Sequence, residues 1–412
     1  VLTPVAASCD IKGTSVVLNL LTYIFLYDCK IYAFGSIITG LGIKTSDVDC
    51  YIDLPAWQGP PDEVCVRKAR KILGWRRNIF QNVFAIIHAK VPIVKFYHVP
   101  TGRNCDVSFK SPAGVENSKL LAYWLQSDSR ILPLTITIKY WSKVHNLTGT
   151  NLMTNYSLIL LVVFYLQQKS MLPSVQLLQQ KVQKFFINSW NVAFSADHHT
   201  NTNKESLFQL LKGFFEYYST FDYEKFIVCP YLGRLVEKKL FNHLETVPND
   251  FALYKENVYS QGCESMRLDS FMCIQDPFEH NRNCSVALYP KLANTIVASF
   301  KIAVHAANDE NNFLKSILTR TIDVGAKKKK NKGRGICVSH NFDNANSLAF
   351  LCLNKITIIF NKNLFGVKLQ SVVTVVLLTM NHVIKLKICY LDNLKIFKVK
   401  ECNTVFRWDI LL

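Results

Sequence analysis

Two carboxylates, Asp47 and Asp49, stand either side of Val48 in the stretch Ser46-Asp47-Val48-Asp49-Cys50-Tyr51-Ile52. The β-branched and aromatic residues of Val48–Ile52 suit a strand. Side chains alternate faces along a strand, so aspartates at i and i+2 point the same way. Carboxylates on one face repel unless a cation sits between them, and hard divalent ions such as Mg²⁺ (or Mn²⁺) take such oxygens together with substrate phosphates. Upstream, with ten residues between, Phe34-Gly35-Ser36 reads as a tight turn. It is expected to open a helix whose free N–H groups attract phosphate. A third carboxylate, Asp106, lies in the strand-like Arg103–Phe109 and follows another strand-like run, Val91–Phe96. A Gly-Ser pair or an Asp-x-Asp taken singly is a common turn or loop feature. In combination the Gly-Ser turn and the Asp-x-Asp describe metal-assisted chemistry on phosphates, with Asp47 and Asp49 as catalytic and metal-ligating residues.

The elements that would hold these groups can be read in outline. A chain of 412 residues has room for two or three domains. Residues 1–112 mix β-like runs with short helices. Residues 113–325 turn helical, with helices expected from Val115 toward Leu125, from Leu132 to His145, from Tyr156 to Gln168, around Gln176, Gln179 and Gln180, and from Leu207 to Tyr218. Residues 326–412 form a basic linker and an uncertain β-containing segment. The fold class expected is α+β, a mixed sheet with helices beside a mostly helical domain, with the site in the cleft between them.

Charge is uneven along the chain. Residues 326–412 carry thirteen Lys and two Arg against four acids, a net +11 of the total +18. A polyanionic partner is expected, and RNA phosphates provide that kind of affinity. The run Lys327–Lys330 with Lys332 and Arg334 is a linker by composition, and it also fits a nuclear signal. Strands are expected at Thr357–Phe360 and Val383–Ile388. The acid-poor tail reads as a small RNA-binding domain, and the same composition would come from translating an AT-rich non-coding stretch. Thirteen cysteines without a single C-x-x-C pair point to reduced thiols within the cell. Cys50 and Cys105 are expected to be small core residues. The longest apolar run, Leu158–Leu166, is too short to cross a bilayer, so no membrane is expected. The chain begins at Val1, so an N-terminal segment is expected to be missing. The compartment is nuclear or cytoplasmic, or mitochondrial if a transit peptide preceded it.

A second set of motifs follows the first. Pro133–His145 contains Lys139 and Lys143, and Thr154-Asn155-Tyr156-Ser157 comes next. Later come Leu211–Tyr218 (LKGFFEYY) and Ile274-Gln275-Asp276-Pro277-Phe278-Glu279. With the Gly-Ser and Asp-x-Asp pattern, this ordered set over roughly residues 30–290 resembles the noncanonical poly(A) polymerase and terminal uridylyltransferase family. That family is built on a DNA-polymerase-β-like nucleotidyltransferase palm with a poly(A)-polymerase-associated domain. The speckle-targeted and mitochondrial branches are nearest. The resemblance implies template-independent transfer of a nucleotide to an RNA 3′ end with release of pyrophosphate.

It also implies roles for single residues, with Asp106 as the third catalytic and metal-ligating carboxylate beside Asp47 and Asp49. Gly35 and Ser36 would face the phosphates. Lys139 and Lys143, four apart on one helix face, would reach the triphosphate. Asn117 resembles the ribose-reading asparagine, Tyr156 the aromatic that stacks on the base, and Asn155 a neighbour of base or phosphates. Uridine-specific members carry a histidine three residues past Asp-Pro-Phe-Glu. Here that position is Arg282, and the nearest histidine is His280. Arginine offers only donors, which serve uracil oxygens or adenine ring nitrogens. The reading leans to UTP, with ATP as the rival. An inactive RNA-binding pseudo-transferase is the non-enzymatic alternative.

Overall fold

The computed structural model describes residues 17, 29–42, 46–54 and 62–319 except 90 and 198, with the strand backbones of 357–360, 372–379, 382–391 and 394–399. Contacts separate a unit of Ala6–Lys328 from a second unit that holds the C-terminal strands.

Within the first unit, alternation of apolar and polar residues builds a five-stranded mixed sheet. Its strands are β1 (Lys30–Phe34), β2 (Val48–Asp53), β3 (Phe80–Ile86), β4 (Ile93–His98) and β5 (Arg103–Ser108), in the order β1-β2-β5-β4-β3. Val48, Cys50 and Ile52 of β2 are fully buried on one face, against Cys105 and Val107 of β5. Asp49 falls in the alternate phase of the strand. Strand β2 begins at Val48, so Asp47 sits just before it rather than in it. Helix α1 (Asp62–Gly74) covers the sheet with Cys65, Val66, Ala69 and Leu73. Cys50 and Cys105 are core residues, as expected, and burial raises both thiols, Cys105 to about 12.

The helical half follows as α2 (Ala113–Gln126), α3 (Ile131–Val144), α4 (Asn155–Gln168), α5 (Val175–Gln179), α6 (Leu207–Ser219), α7 (Ala252–Tyr259), α8 (Pro290–Ala306) and α9 (Phe313–Leu318). Every residue of Leu158–Leu166 is buried, so this stretch of α4 has no solvent face and forms the axis of this core. Thr154 caps it, its hydroxyl accepting from Ser157 N–H at 3.0 Å. Helix α6 starts at a capping box of Ser206 and Gln209. Phe214 and Phe215 of α6 meet Phe300 of α8, and Phe215 meets Trp141 of α3 at 4.9 Å between ring centroids. The expected helices are present to within a few residues. The glutamine-marked one shrinks to the single turn and a half of α5.

The C-terminal strands Thr357–Phe360, Val372–Thr379, His382–Leu391 and Leu394–Val399 pair antiparallel in that order. The two strands expected there fall within this sheet. The lysine run at 327–334 lies outside the described residues. Among the described residues no helix is long and apolar enough to cross a membrane.

Candidate active site

The parallel pairing of β2 with β5 sets Asp49 opposite Asp106. Two carboxylates on adjacent strands, with Asp47 two residues away, crowd one another. Burial, then Asp106 and Asp47, push the Asp49 carboxyl up to about 7. The next strand supplies a counter-charge. Lys95 of β4 stands opposite Asp106, and its Nζ donates to Asp106 Oδ2. Burial raises the Asp106 carboxyl while this lysine pulls it back. Asp106 Oδ1 remains buried with no hydrogen-bond partner. Asp47 Oδ1 accepts from Asn104 Nδ2 at 3.4 Å.

The turn after β1 explains its glycine. Gly35 has φ +75°, and a Cβ there would overlap the Asp49 carboxylate. The glycine therefore lets a backbone turn lie directly against a catalytic candidate. Residues 35–40 form turns, with one Thr39 N–H to Gly35 C=O bond at 3.1 Å, rather than the regular helix expected. Nor is the Gly35 N–H open to a phosphate: it donates to Ser118 Oγ at 2.8 Å. Ser118 in turn donates to Gly114 C=O at 2.7 Å, which fastens the turn to the start of α2. Ser36 lines the open side of the same turn.

A cleft of about 600 Å³ opens beside these groups. It is lined from the palm by Gly35, Ser36, Asp47 and Asp49, and from the helices by Asn117, Lys139, Lys143, Asn155, Tyr156 and Arg282. Asp106 is not part of the lining; it stands one strand further in, behind Asp49. Lys139 Nζ donates to Leu41 C=O at 2.8 Å, tying α3 to the segment after the turn. Burial, then Lys143, hold the Lys139 ammonium below its ordinary value, and Asp49 pulls the other way.

The far wall of the cleft is organised by a residue that motif reading left without a role. Asp276 is fully buried. Its Oδ1 accepts from Phe278 N–H at 3.0 Å and Glu279 N–H at 3.1 Å, closing a turn over Pro277. Its Oδ2 accepts from Tyr156 Oη at 3.1 Å and Asn117 Nδ2 at 3.4 Å. Arg282 Nη1 stands 3.6 Å from the same oxygen and 3.7 Å from Glu279. Burial works against the Arg282 charge, but Asp276 and its neighbours outweigh it and raise the guanidinium further. Burial and Asp276 also lift the Tyr156 phenol well above its ordinary value. Three expected nucleoside contacts thus hang on one carboxylate. Asn117 Oδ1 is buried and unpartnered beside the cleft.

His280 takes no part. It is 4% exposed, packed against Tyr231, Trp190 and Phe251, and burial depresses its imidazole to about 3. Arg282, by contrast, lines the cleft.

Residues 14–126 match the central palm domain of the family described as poly(A) RNA polymerase, mitochondrial-like, and residues 206–282 match the associated domain of the Cid1 family poly A polymerases. Both matches are to domains of noncanonical poly(A) polymerases, and the chain is similar to that family and to its terminal uridylyltransferase members. Among relatives of that family, the Drosophila melanogaster poly(A) RNA polymerase gld-2 homolog A is 28% identical over 64% of this chain and 20% of its own length. Human terminal uridylyltransferase 7 is 26% identical over 66% of this chain and 18% of its own. Human mitochondrial poly(A) RNA polymerase is 27% identical over 56% of this chain and 44% of its own. The chain thus spans between 18% and 44% of the length of these relatives. Two family folds superpose on it. The mitochondrial poly(A) polymerase with ATPγS has a TM-score of 0.64 at 23% identity, covering 75% of this chain and 68% of that one. The Cid1 poly(U) polymerase with MgGTP bound has a TM-score of 0.62 at 20% identity, covering 76% of this chain and 94% of that one.

Proposed function

We propose that this chain is a template-independent RNA 3′-terminal nucleotidyltransferase that adds UMP, or AMP as the second reading, and releases pyrophosphate. One observation carries the reading. A single cleft gathers Asp47 and Asp49 with a glycine-bounded turn on one side and two lysines, an aromatic and an arginine on the other. Relatives named as poly(A) polymerases and as terminal uridylyltransferases support either nucleotide.

Among the described residues no three acidic, His or Cys groups enclose an ion as they stand. The donors nonetheless suit a divalent cation: carboxylates crowd one another around Asp49, and Asp106 keeps an unpartnered buried oxygen. Asp47, Asp49 and Asp106 would hold Mg²⁺ or Mn²⁺, which when bound supplies charge stabilisation to attacking and leaving oxygens. The chain's own residues supply the rest. Lys143 and Lys139 neutralise the triphosphate, Ser36 offers its hydroxyl to it, and Tyr156 presents a ring to the base. Asn117 has an unused acceptor for a ribose hydroxyl. Asn155 stands at the exposed rim, and Arg282 offers donors to the base edge.

Labelled single-stranded RNA incubated with each NTP separately in Mg²⁺, beside Asp49→Ala, tests the reading. A UTP ladder lost in the variant is the expected result. An ATP ladder instead makes the chain a poly(A) polymerase, with Arg282 serving adenine. No ladder with any NTP overturns the enzymatic reading.

A further inference from the structure

A second concave surface lies at the opposite edge of the sheet. Strand order places β3 at the outer edge, three ladder steps from β2, or about 14 Å. Helix α1 presents Arg67, Arg70, Lys71 and Gly74 on one side, spaced i, i+3, i+4 and i+7. Trp75, Arg77 and the start of β3 close a groove of about 690 Å³ against them. Here β3 is irregular: its register with β4 shifts between Gln81 and Phe84, and Asn82 has φ +51°. Such a bulge turns an edge strand away from regular pairing.

The chemistry of this groove is one-sided. Residues 67–77 hold six Lys and Arg, and no acid occurs between Glu63 and Asp106. Arg67, Arg70, Lys71 and Arg77 are exposed, and among the described residues none of them is ion-paired. Solubility or protection of a sheet edge would account for cations alone. It does not account for Trp75, which is 73% exposed at the middle of the cluster, with Lys71 Nζ 5.5 Å from its ring centroid. An open indole among unpaired cations matches a ligand that carries both phosphates and stackable bases.

We propose that this groove is a second RNA-holding site, gripping single-stranded RNA upstream of the 3′ end with Trp75 stacked on a base. The choice of RNA over other polyanions rests on the tailing reading above, whereas the groove itself does not. Arg67, Arg70, Lys71 and Arg77 take phosphates. A tailing enzyme without a template gains from such a grip, because the reacting end must stay placed while the chain grows.

The test uses the full chain and labelled single-stranded RNA, with binding followed by anisotropy across a salt series and NTP binding measured in parallel. Trp75→Ala is expected to weaken RNA binding about tenfold. Arg70→Glu with Lys71→Glu is expected to weaken it further and to lower the salt slope by roughly one to two. NTP binding should be unchanged in both, which also reports that they fold. RNA carrying 4-thiouridine should crosslink to the peptide that contains Trp75. Unchanged RNA affinity and slope in both variants overturn the proposal. So does heparin binding that depends on the cations while RNA binding ignores Trp75, since the surface would then be a general polyanion patch. A wild-type chain that makes no ladder yet crosslinks at Trp75 refutes the tailing reading and leaves the groove standing.

Discussion

Two carboxylate neighbourhoods face each other across the cleft, and they are built in opposite ways. Asp49 is crowded by Asp47 and Asp106, its carboxyl is pushed up to about 7, and an oxygen of Asp106 has no partner. Asp276 is more deeply buried, yet donors surround both of its oxygens: two backbone N–H groups, Asn117, Tyr156 and Arg282. Burial alone therefore does not mark a reactive acid. What separates the two is whether the protein completes the group's partners. The first neighbourhood keeps unmet acceptor capacity, which suits the cation and phosphates proposed for it. The second is complete, and its work is to hold other side chains in place.

The sharpest way to break this comparison is to delete each acid in turn. Asp49→Asn should lower turnover by at least about 10³-fold, the scale of several kcal/mol of lost charge stabilisation. Without divalent ions the same change should stabilise the fold by about 1 kcal/mol, allowing for the solvent that reaches this site. Thermal unfolding with and without Mg²⁺ reads both. A less stable metal-free Asp49→Asn would deny that the cluster is strained. Asp276→Ala should do the reverse. It strips those donors and the Cys284 thiol of their acceptor and should cost about 3–5 kcal/mol of stability, read by denaturant unfolding. An Asp276→Ala chain as stable as wild type would show that the hub is not architectural.

The same contrast explains what could be read from the sequence. The palm acids were legible because their information is local: spacing, strand alternation and a glycine turn lie within a few dozen residues. Helix positions were legible for the same reason, since an apolar run such as Leu158–Leu166 belongs to its own segment alone. Asp276 as a hub was not, because its partners Asn117 and Tyr156 lie 159 and 120 residues away. The pairing of Lys95 with Asp106 depends on the register of β4 against β5, which no single strand reveals. His280 stands two residues from Arg282 in the sequence, yet it packs in an aromatic cage while Arg282 lines the cleft. The turn at Gly35 is legible in the sequence, but turns stand where a helix is expected and Ser118 takes the Gly35 N–H.

That cage supplies a pH test which leaves Asp47, Asp49 and Asp106 untouched. The His280 imidazole is depressed from the usual 6.5 to about 3, so the folded chain keeps it neutral where the unfolded chain protonates it. Its contribution is fully present above pH 6.5 and is lost as pH falls from there toward about 3. Between about pH 6.5 and about pH 4 the loss should approach about 3 kcal/mol. His280→Phe suits the surrounding rings and should be within about 1 kcal/mol of wild type at about pH 7.5. Its stability should fall less steeply on acidification. Parallel curves for variant and wild type would show that protons reach His280 in the folded chain.

The smallest effect tests how far the complete neighbourhood governs the incomplete one. Tyr156→Phe removes one donor from Asp276 and leaves Asn117 and Arg282 in place, so it should cost only about 1 kcal/mol of stability. The ring still stacks, and affinity for the NTP should hold. Tyr156→Ala removes the ring and should weaken NTP binding by about 1–3 kcal/mol, the usual worth of one stacked base. If the phenylalanine variant lost as much NTP affinity as the alanine one, the hydroxyl rather than the ring would be what matters. Tyr156 would then act by keeping Asp276 and Arg282 in position, and the helical wall of the cleft would depend on that single hydrogen bond.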